Sequence, residues 1–312
     1  MNPAWSVILF TTLAGAGQGL FLAVYAAEIA ARGGVIPLPP DGSFFAGASV
    51  IVVALASAGL VSSFFHLGRP ERAWRAAAMW RTSWLSREVI VLPAFIGVSA
   101  LYGLAHYLGS PTSVALGALG TLLCLVLFVC TGMIYACIRF LQEWHTPWTV
   151  INYLMLGTAS GLTLAAAFSA FVAPDRAAAY ASAALVATLA GLVTRCITLL
   201  RNARLRHLSS LQTAIGIRHP RIVQKSQGFM GGSFNTREFF HGRSRLFLRS
   251  VKWIFLIFAF VLPALLLAAS SRTPQLVLPL AFVVQFAGLL AERWFFFAQA
   301  NHPQNLYYQA IS

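Results

Sequence analysis

Residues 62–90 read SSFFHLGRPERAWRAAAMWRTSWLSREVI. The stretch begins at the end of one long apolar run and finishes at the start of the next, so it reads as the polar connection between two membrane helices. His66 is expected in the last turn of the first helix. Gly68 is placed to cap that helix, and Pro70 prevents its continuation. Arg69, Arg72, Arg75, Arg81 and Arg87 follow, interleaved with Trp74, Trp80 and Trp84. Ser86 is the expected N-cap of the next helix, and Glu88 lies in its first turn. A histidine, a carboxylate, arginines and aromatic rings at one membrane surface are the groups that would bind a polar, redox-active lipid head group.

Composition on either side of this stretch sets the class. The chain is 58% hydrophobic and 10% charged, with a mean hydropathy of +0.74. A soluble domain carries roughly 25% charged residues, which excludes one here. The 312 residues accommodate about eight spans of roughly 20 residues each. Apolar runs cover 4–31, 44–66, 87–108, 112–140, 148–172, 177–200, 249–270 and 274–299. The first run lacks a basic leader and is long for a signal-peptide core, so it is expected to be retained. Gly15, Gly17 and Gly19 within it suit close helix packing in lipid. The expectation is an all-α integral membrane protein, a bundle of about eight transmembrane helices. It forms one anchor domain over 1–312, with a basic loop at 201–248.

Eight spans put both termini on one side, together with loops 67–86, 141–147 and 201–248. Of the 22 Lys and Arg residues, only Arg32, Arg176 and Arg272 fall on the other side. The positive-inside rule makes the basic side cytoplasmic, and both termini, His66 and Glu88 with it. A net charge of +14 would suggest nucleic acid in a soluble protein. Here no nucleic-acid partner is expected, and the cations of the 201–248 loop, set against Glu238 alone, point to anionic lipid or an acidic partner subunit.

His66 has two readings. It can satisfy a helix-end carbonyl, or its imidazole can bind a quinone carbonyl and exchange a proton with it. Glu88 can be a first-turn carboxylate or a second proton acceptor. Gln18, in the first span, can donate to a ligand or join two helices. Glu28 and Arg195 fall in apolar runs and are costly there unless paired. Glu292 and Arg293, late in the last span, read as snorkelling to the surface, and His106 near the opposite surface fits neither role. An intramembrane b haem needs two histidines at similar depth. His66 and His106 do not supply them, which leaves His66 with His145 or His302. Cys124, Cys130, Cys137 and Cys196 form no CxxC pair, and no metal cofactor is expected in the chain. A transporter, which concentrates polar groups at the midplane, fits less well than a site crowded at one surface.

At HLGRPERAWRAAAMWRTSWLSREVI the chain resembles the membrane-anchor subunits of the dimethyl sulfoxide reductase family. The pattern is carried here by His66, Leu67, Gly68, Pro70, Arg72, Ala73, Leu85, Ser86 and Glu88. AERWFFFAQANHPQNLYYQ and RFLQEWHTPWTVINYLMLGTASG are similar to the branch that anchors a cytoplasmic sulfite-oxidising complex. The resemblance implies a molybdenum bis-pterin catalytic subunit, a four-cluster iron–sulfur subunit in direct contact with the anchor, and a quinone site (ubiquinone or menaquinone) on the anchor. It implies that His66 and Glu88 act in that site. With them, Arg69, Arg72, Ser86, Arg87, Gln18 and Trp74 form the candidate contact set. The family's dimethyl sulfoxide reductases carry their soluble subunits outside the inner membrane, whereas the topology above faces inward. That favours a bacterial inner-membrane protein with cytoplasmic partners, passing electrons from sulfite to quinone. The alternative within the family is quinol oxidation feeding a sulfoxide or polysulfide reductase.

Overall fold

A computed structural model describes residues 1–35, 42–206, 208–223, 225, 239 and 241–303, and every regular element among them is helical. Lipid offers no partner to a backbone N–H or C=O, so an apolar segment that enters it must satisfy those groups internally, as a helix does. Eight helices among the described residues are long and apolar enough to cross a membrane. They are α1 (Trp5–Arg32), α2 (Ser43–Phe64), α3 (Trp84–Tyr107), α4 (Ser113–Ala136), α5 (Pro147–Val172), α6 (Pro174–Ala203), α8 (Arg245–Ala268) and α9 (Pro274–Ala298). A 3-10 segment, Pro70–Met79, joins α2 to α3, and a short α7, Leu211–Ile215, lies between α6 and α8.

These helices fall on the expected apolar runs, with shifted ends. The run read as 112–140 stops at Ala136. His145 Nδ1 lies 2.6 Å from the Ala136 carbonyl and satisfies one of the acceptors that a helix end leaves open. The loop expected at 201–248 is shorter, because α6 continues to Ala203 and α8 starts at Arg245. Its residues 224, 226–238 and 240, with His207, lie outside the described residues.

α1 is the most enclosed span. It packs on α5 where small residues meet. A Cβ on Gly161 would overlap the Gly19 backbone, and one on Gly19 would overlap the Gly157 carbonyl. Only glycine lets two helix backbones approach this closely. α8 solves a different problem. Pro263 has no N–H to give the Ala259 carbonyl four residues earlier, and its ring crowds that carbonyl. The helix widens to a π turn over Ile257–Val261. Gln285 of α9 then donates to the Ala259 carbonyl at 3.4 Å and to Thr188 of α6 at 3.0 Å. The chain's beginning and the end of its last span are tied together, since the Met1 amine donates to the Ala300 carbonyl at 2.7 Å.

Candidate functional site

The 62–90 stretch folds differently at both of its expected caps. α2 ends at Phe64 with Phe65 as its cap, two residues before His66. Gly68 is not among the residues with positive φ, so it does not serve as a left-handed cap. The chain is turned instead by the Leu67 N–H, which donates to the Phe64 carbonyl at 3.1 Å. Ser86 is not the N-cap of α3 either. Ser83 is, and its hydroxyl accepts from the Ser86 N–H at 3.3 Å. The helix therefore starts earlier, and Glu88 moves from its first turn into its second.

That shift decides what Glu88 can do. It is 4% exposed, and the Thr131 hydroxyl of α4 donates to its carboxyl group. Ser86 is buried as well. Thr131 also lines an internal cavity of about 10 Å³, with Gln18, Tyr153, Thr11, Phe10 and Phe128 among its walls. That volume is about enough for one water. Gln18 donates to the Cys124 carbonyl at 3.1 Å, so its amide joins α1 to α4 while it faces the same cavity.

His66, by contrast, is exposed, and it makes no hydrogen bond or ion pair among the described residues. Partial desolvation lowers its pKa from the ordinary histidine value of 6.5. The 3-10 segment after it buries none of its residues. Arg69, just before it, and Arg72 within it are exposed, Arg72 lies 3.8 Å from Glu71, and Trp74 is 71% exposed. Arg–Trp stacking orders the surface, with Arg75 over Trp74 at 5.5 Å and Arg81 over Trp80 at 5.4 Å. Arg87 closes the loop. It donates to the Trp80 and Arg81 carbonyls at 2.9 and 2.8 Å and stacks on Trp84 at 4.2 Å.

The bundle also holds two buried charge clusters, one at each end. Glu292 and Arg293 do not snorkel. They are 1% and 4% exposed, and Glu292 pairs with Arg195 of α6 at 2.7 Å and with Arg293 at 3.3 Å. Arg195 is itself 1% exposed. The Arg293 guanidinium sits 3.8 Å over the Tyr153 ring, and Tyr153 lines the small cavity. At the far ends of α1 and α3, Glu28 accepts from Tyr102 and Ser113 at 2.8 Å and from Arg32 at 2.9 Å. His106 Nε2 lies 3.2 Å from it. His106 thus has a partner the sequence did not reveal.

The structure buries Glu88 and Ser86 near the start of α3, and Gln18, midway along α1, shares a cavity with Thr131, the partner of Glu88. The structure leaves His66, Arg69, Arg72 and Trp74 on the surface. Thr131, Tyr153 and the Arg195–Glu292–Arg293 triad are the additions. The ionisable groups in apolar runs were the available signal, whereas Thr131 and Tyr153 carry none until the helices are packed.

The family model for the DMSO reductase anchor subunit (DmsC) matches residues 1–299. The chain belongs to the DMSO reductase anchor subunit family. It is 54% identical to a sulfite dehydrogenase subunit of Allochromatium vinosum, and the match covers both chains completely. It is also 26% identical to the anaerobic dimethyl sulfoxide reductase chain YnfH of Escherichia coli, over 52% of this chain and 56% of that one. As a member of this anchor family, the protein is a multi-helix membrane subunit of a redox complex. Its eight-helix architecture is the expected one.

Proposed function

We propose that this anchor receives electrons from soluble molybdopterin and iron–sulfur subunits that oxidise sulfite on the cytoplasmic face of the bacterial inner membrane, and passes them to quinone. The observation that carries the reading is the full-length match, at 54% identity, to the sulfite dehydrogenase subunit. The alternative, quinol oxidation feeding a sulfoxide reductase, is supported by the description of the matching family model and by a 26% match over half the chain.

The chemistry balances. Sulfite and water give sulfate, two electrons and two protons on the partner subunits, and quinone takes up two electrons and two protons at the membrane surface. His66 and Glu88 are assigned to the quinone's protonation. His66, exposed just beyond the end of α2, offers an imidazole that can bind a quinone carbonyl and exchange a proton with it. Glu88, with Thr131 fixing its carboxyl group, offers a second proton carrier held away from bulk water. Arg69, Arg72 and Trp74 provide the cationic and aromatic surface that receives the polar head. Ser86 and Gln18 shape the interior wall. Arg87 holds the loop that presents this surface, through its bonds to Trp80 and Arg81.

The test is sulfite-dependent reduction of a ubiquinone analogue by the complex purified through this chain. His66→Arg and Glu88→Ala are expected to keep the complex assembled and to stop electron transfer to quinone. Normal quinone turnover by both variants would remove these residues from the site.

A further inference from the structure

Glu88 is enclosed, so each proton it gives up must be replaced through the protein. Two cavities mark out a route. The first is the small one already described, which Thr131 shares with Gln18 and Tyr153. The second is much larger, about 550 Å³, and opens among α6, α8 and α9 at the terminus-bearing end of the bundle. Glu143, Asn202, His241, Arg243 and Lys252 are among its walls, which makes it a wet, polar space.

One layer of buried charge separates them. Leu199 and Phe295 line the large cavity. Arg195 precedes Leu199 by one turn, and Glu292 precedes Phe295 by slightly less, roughly 5 Å of helix axis. On the inner side, Arg293 covers Tyr153, a wall of the small cavity, at 3.8 Å. The triad holds two cations and one carboxylate, all nearly inaccessible. A structural ion pair between α6 and α9 needs one arginine only. Ionisable groups inside a membrane bundle are expensive and usually serve transfer of charge or protons. Arginine does not give up its proton in proteins, so within the triad the Glu292 carboxylate is the one available proton acceptor.

We propose that Glu292, held between Arg195 and Arg293, is a proton-relay residue connecting the large cavity, by way of Tyr153 and the small cavity, to the Glu88–Thr131 pair. Protons enter from water in the large cavity, pass Glu292, and reprotonate Glu88 after it has delivered a proton to reduced quinone. The electrons come from the iron–sulfur partner and do not use this path. The inference rests on the quinone reading above.

The experiment uses the whole complex in native membranes. Glu292→Gln is expected to slow sulfite-to-quinone turnover about a hundredfold, within the usual range for a lost proton-transfer group. Sulfite oxidation with a soluble artificial acceptor and the KM for quinone should stay unchanged. Glu292→Asp should recover much of the rate. Added formate or azide, small weak acids, should partly rescue Glu292→Gln, which a purely structural role would not allow. Tyr153→Phe should slow turnover and raise the solvent isotope effect. Full quinone turnover by Glu292→Gln would overturn the relay. So would a loss that tracks the amount of assembled complex and ignores weak acids. If Glu88→Ala stops quinone turnover while Glu292→Gln keeps it, the relay falls and the quinone reading stands. If both keep it, both fall.

Discussion

Thr131 of α4 donates its hydroxyl hydrogen to Glu88 of α3, and the carboxyl group it fixes is almost completely shielded from water. The bond spans 43 positions of sequence and makes Thr131 the orienting group for Glu88. Thr131→Val keeps the shape and removes the donor. We expect it to destabilise the protein by about 1–3 kcal/mol, the usual cost of an unsatisfied buried group. It should also lower quinone turnover per assembled complex at least tenfold, with KM for quinone little changed. Thermal unfolding of the detergent-solubilised complex and quinone titrations measure the two effects separately.

His66 predicts a pH profile. Its pKa is lowered from 6.5 by partial desolvation. In the proposed direction the imidazolium is the proton donor, so the competent fraction is complete below that lowered pKa and is lost as pH rises through it. The quinone-reduction rate should therefore fall with rising pH, and the fall should begin on the acid side of 6.5. His66→Gln should remove this limb of the profile and lower the rate at acid pH most. An unchanged profile in the variant would assign the titration to another group.

At the other end of the bundle, Glu28, His106, Tyr102, Arg32 and Ser113 form a cluster that ties α1, α3 and α4. It is remote from the Glu88 end and has no place in the proposed chemistry. Removing one member leaves a buried charge short of partners, at a cost of about 3–5 kcal/mol. Glu28→Gln or His106→Ala should reduce the yield and thermal stability of the protein. Turnover per assembled complex should stay at the wild-type level. A specific loss of turnover with normal assembly would give this cluster a functional role.

The same cluster shows where the sequence stops informing. The eight helices were legible, because continuous apolar runs bounded by Gly, Pro and charge have few other solutions in lipid. The glycines of α1 announced close packing, although nothing in the sequence said that Gly157 and Gly161 of α5 would meet them. His66 and Glu88 stood out through their place beside a basic loop. Pairings across the bundle did not. Glu292 meets Arg195, and Gln285 meets Thr188, across long stretches of chain, and only packing reveals such pairs. Cap identity was not legible either. Ser83 and Ser86 are chemically equivalent N-caps, and the folded chain uses Ser83.

The 3-10 segment is unusual, since none of its residues is fully buried. Trp74, Met79 and Trp80 are 71%, 62% and 52% exposed, and arginines stack on both tryptophans. Trp and Arg dominate the energetics of protein interfaces, and the cations suit an acidic partner face. The segment also carries Arg72 and Trp74 of the proposed quinone surface, where electrons must arrive. We therefore expect it to dock the iron–sulfur subunit. Trp80→Ala combined with Arg75→Glu, neither of them in the proposed quinone surface, should weaken capture of the soluble subunits by tenfold or more, given that about 1.4 kcal/mol corresponds to a tenfold change in Kd. The loss should be most pronounced at high ionic strength, and the membrane insertion of the anchor should be unaffected. Unchanged capture, with altered lipid association instead, would make the segment a membrane-interface belt of the kind Trp and Arg also form, and would move the docking surface to the basic loop between α6 and α8.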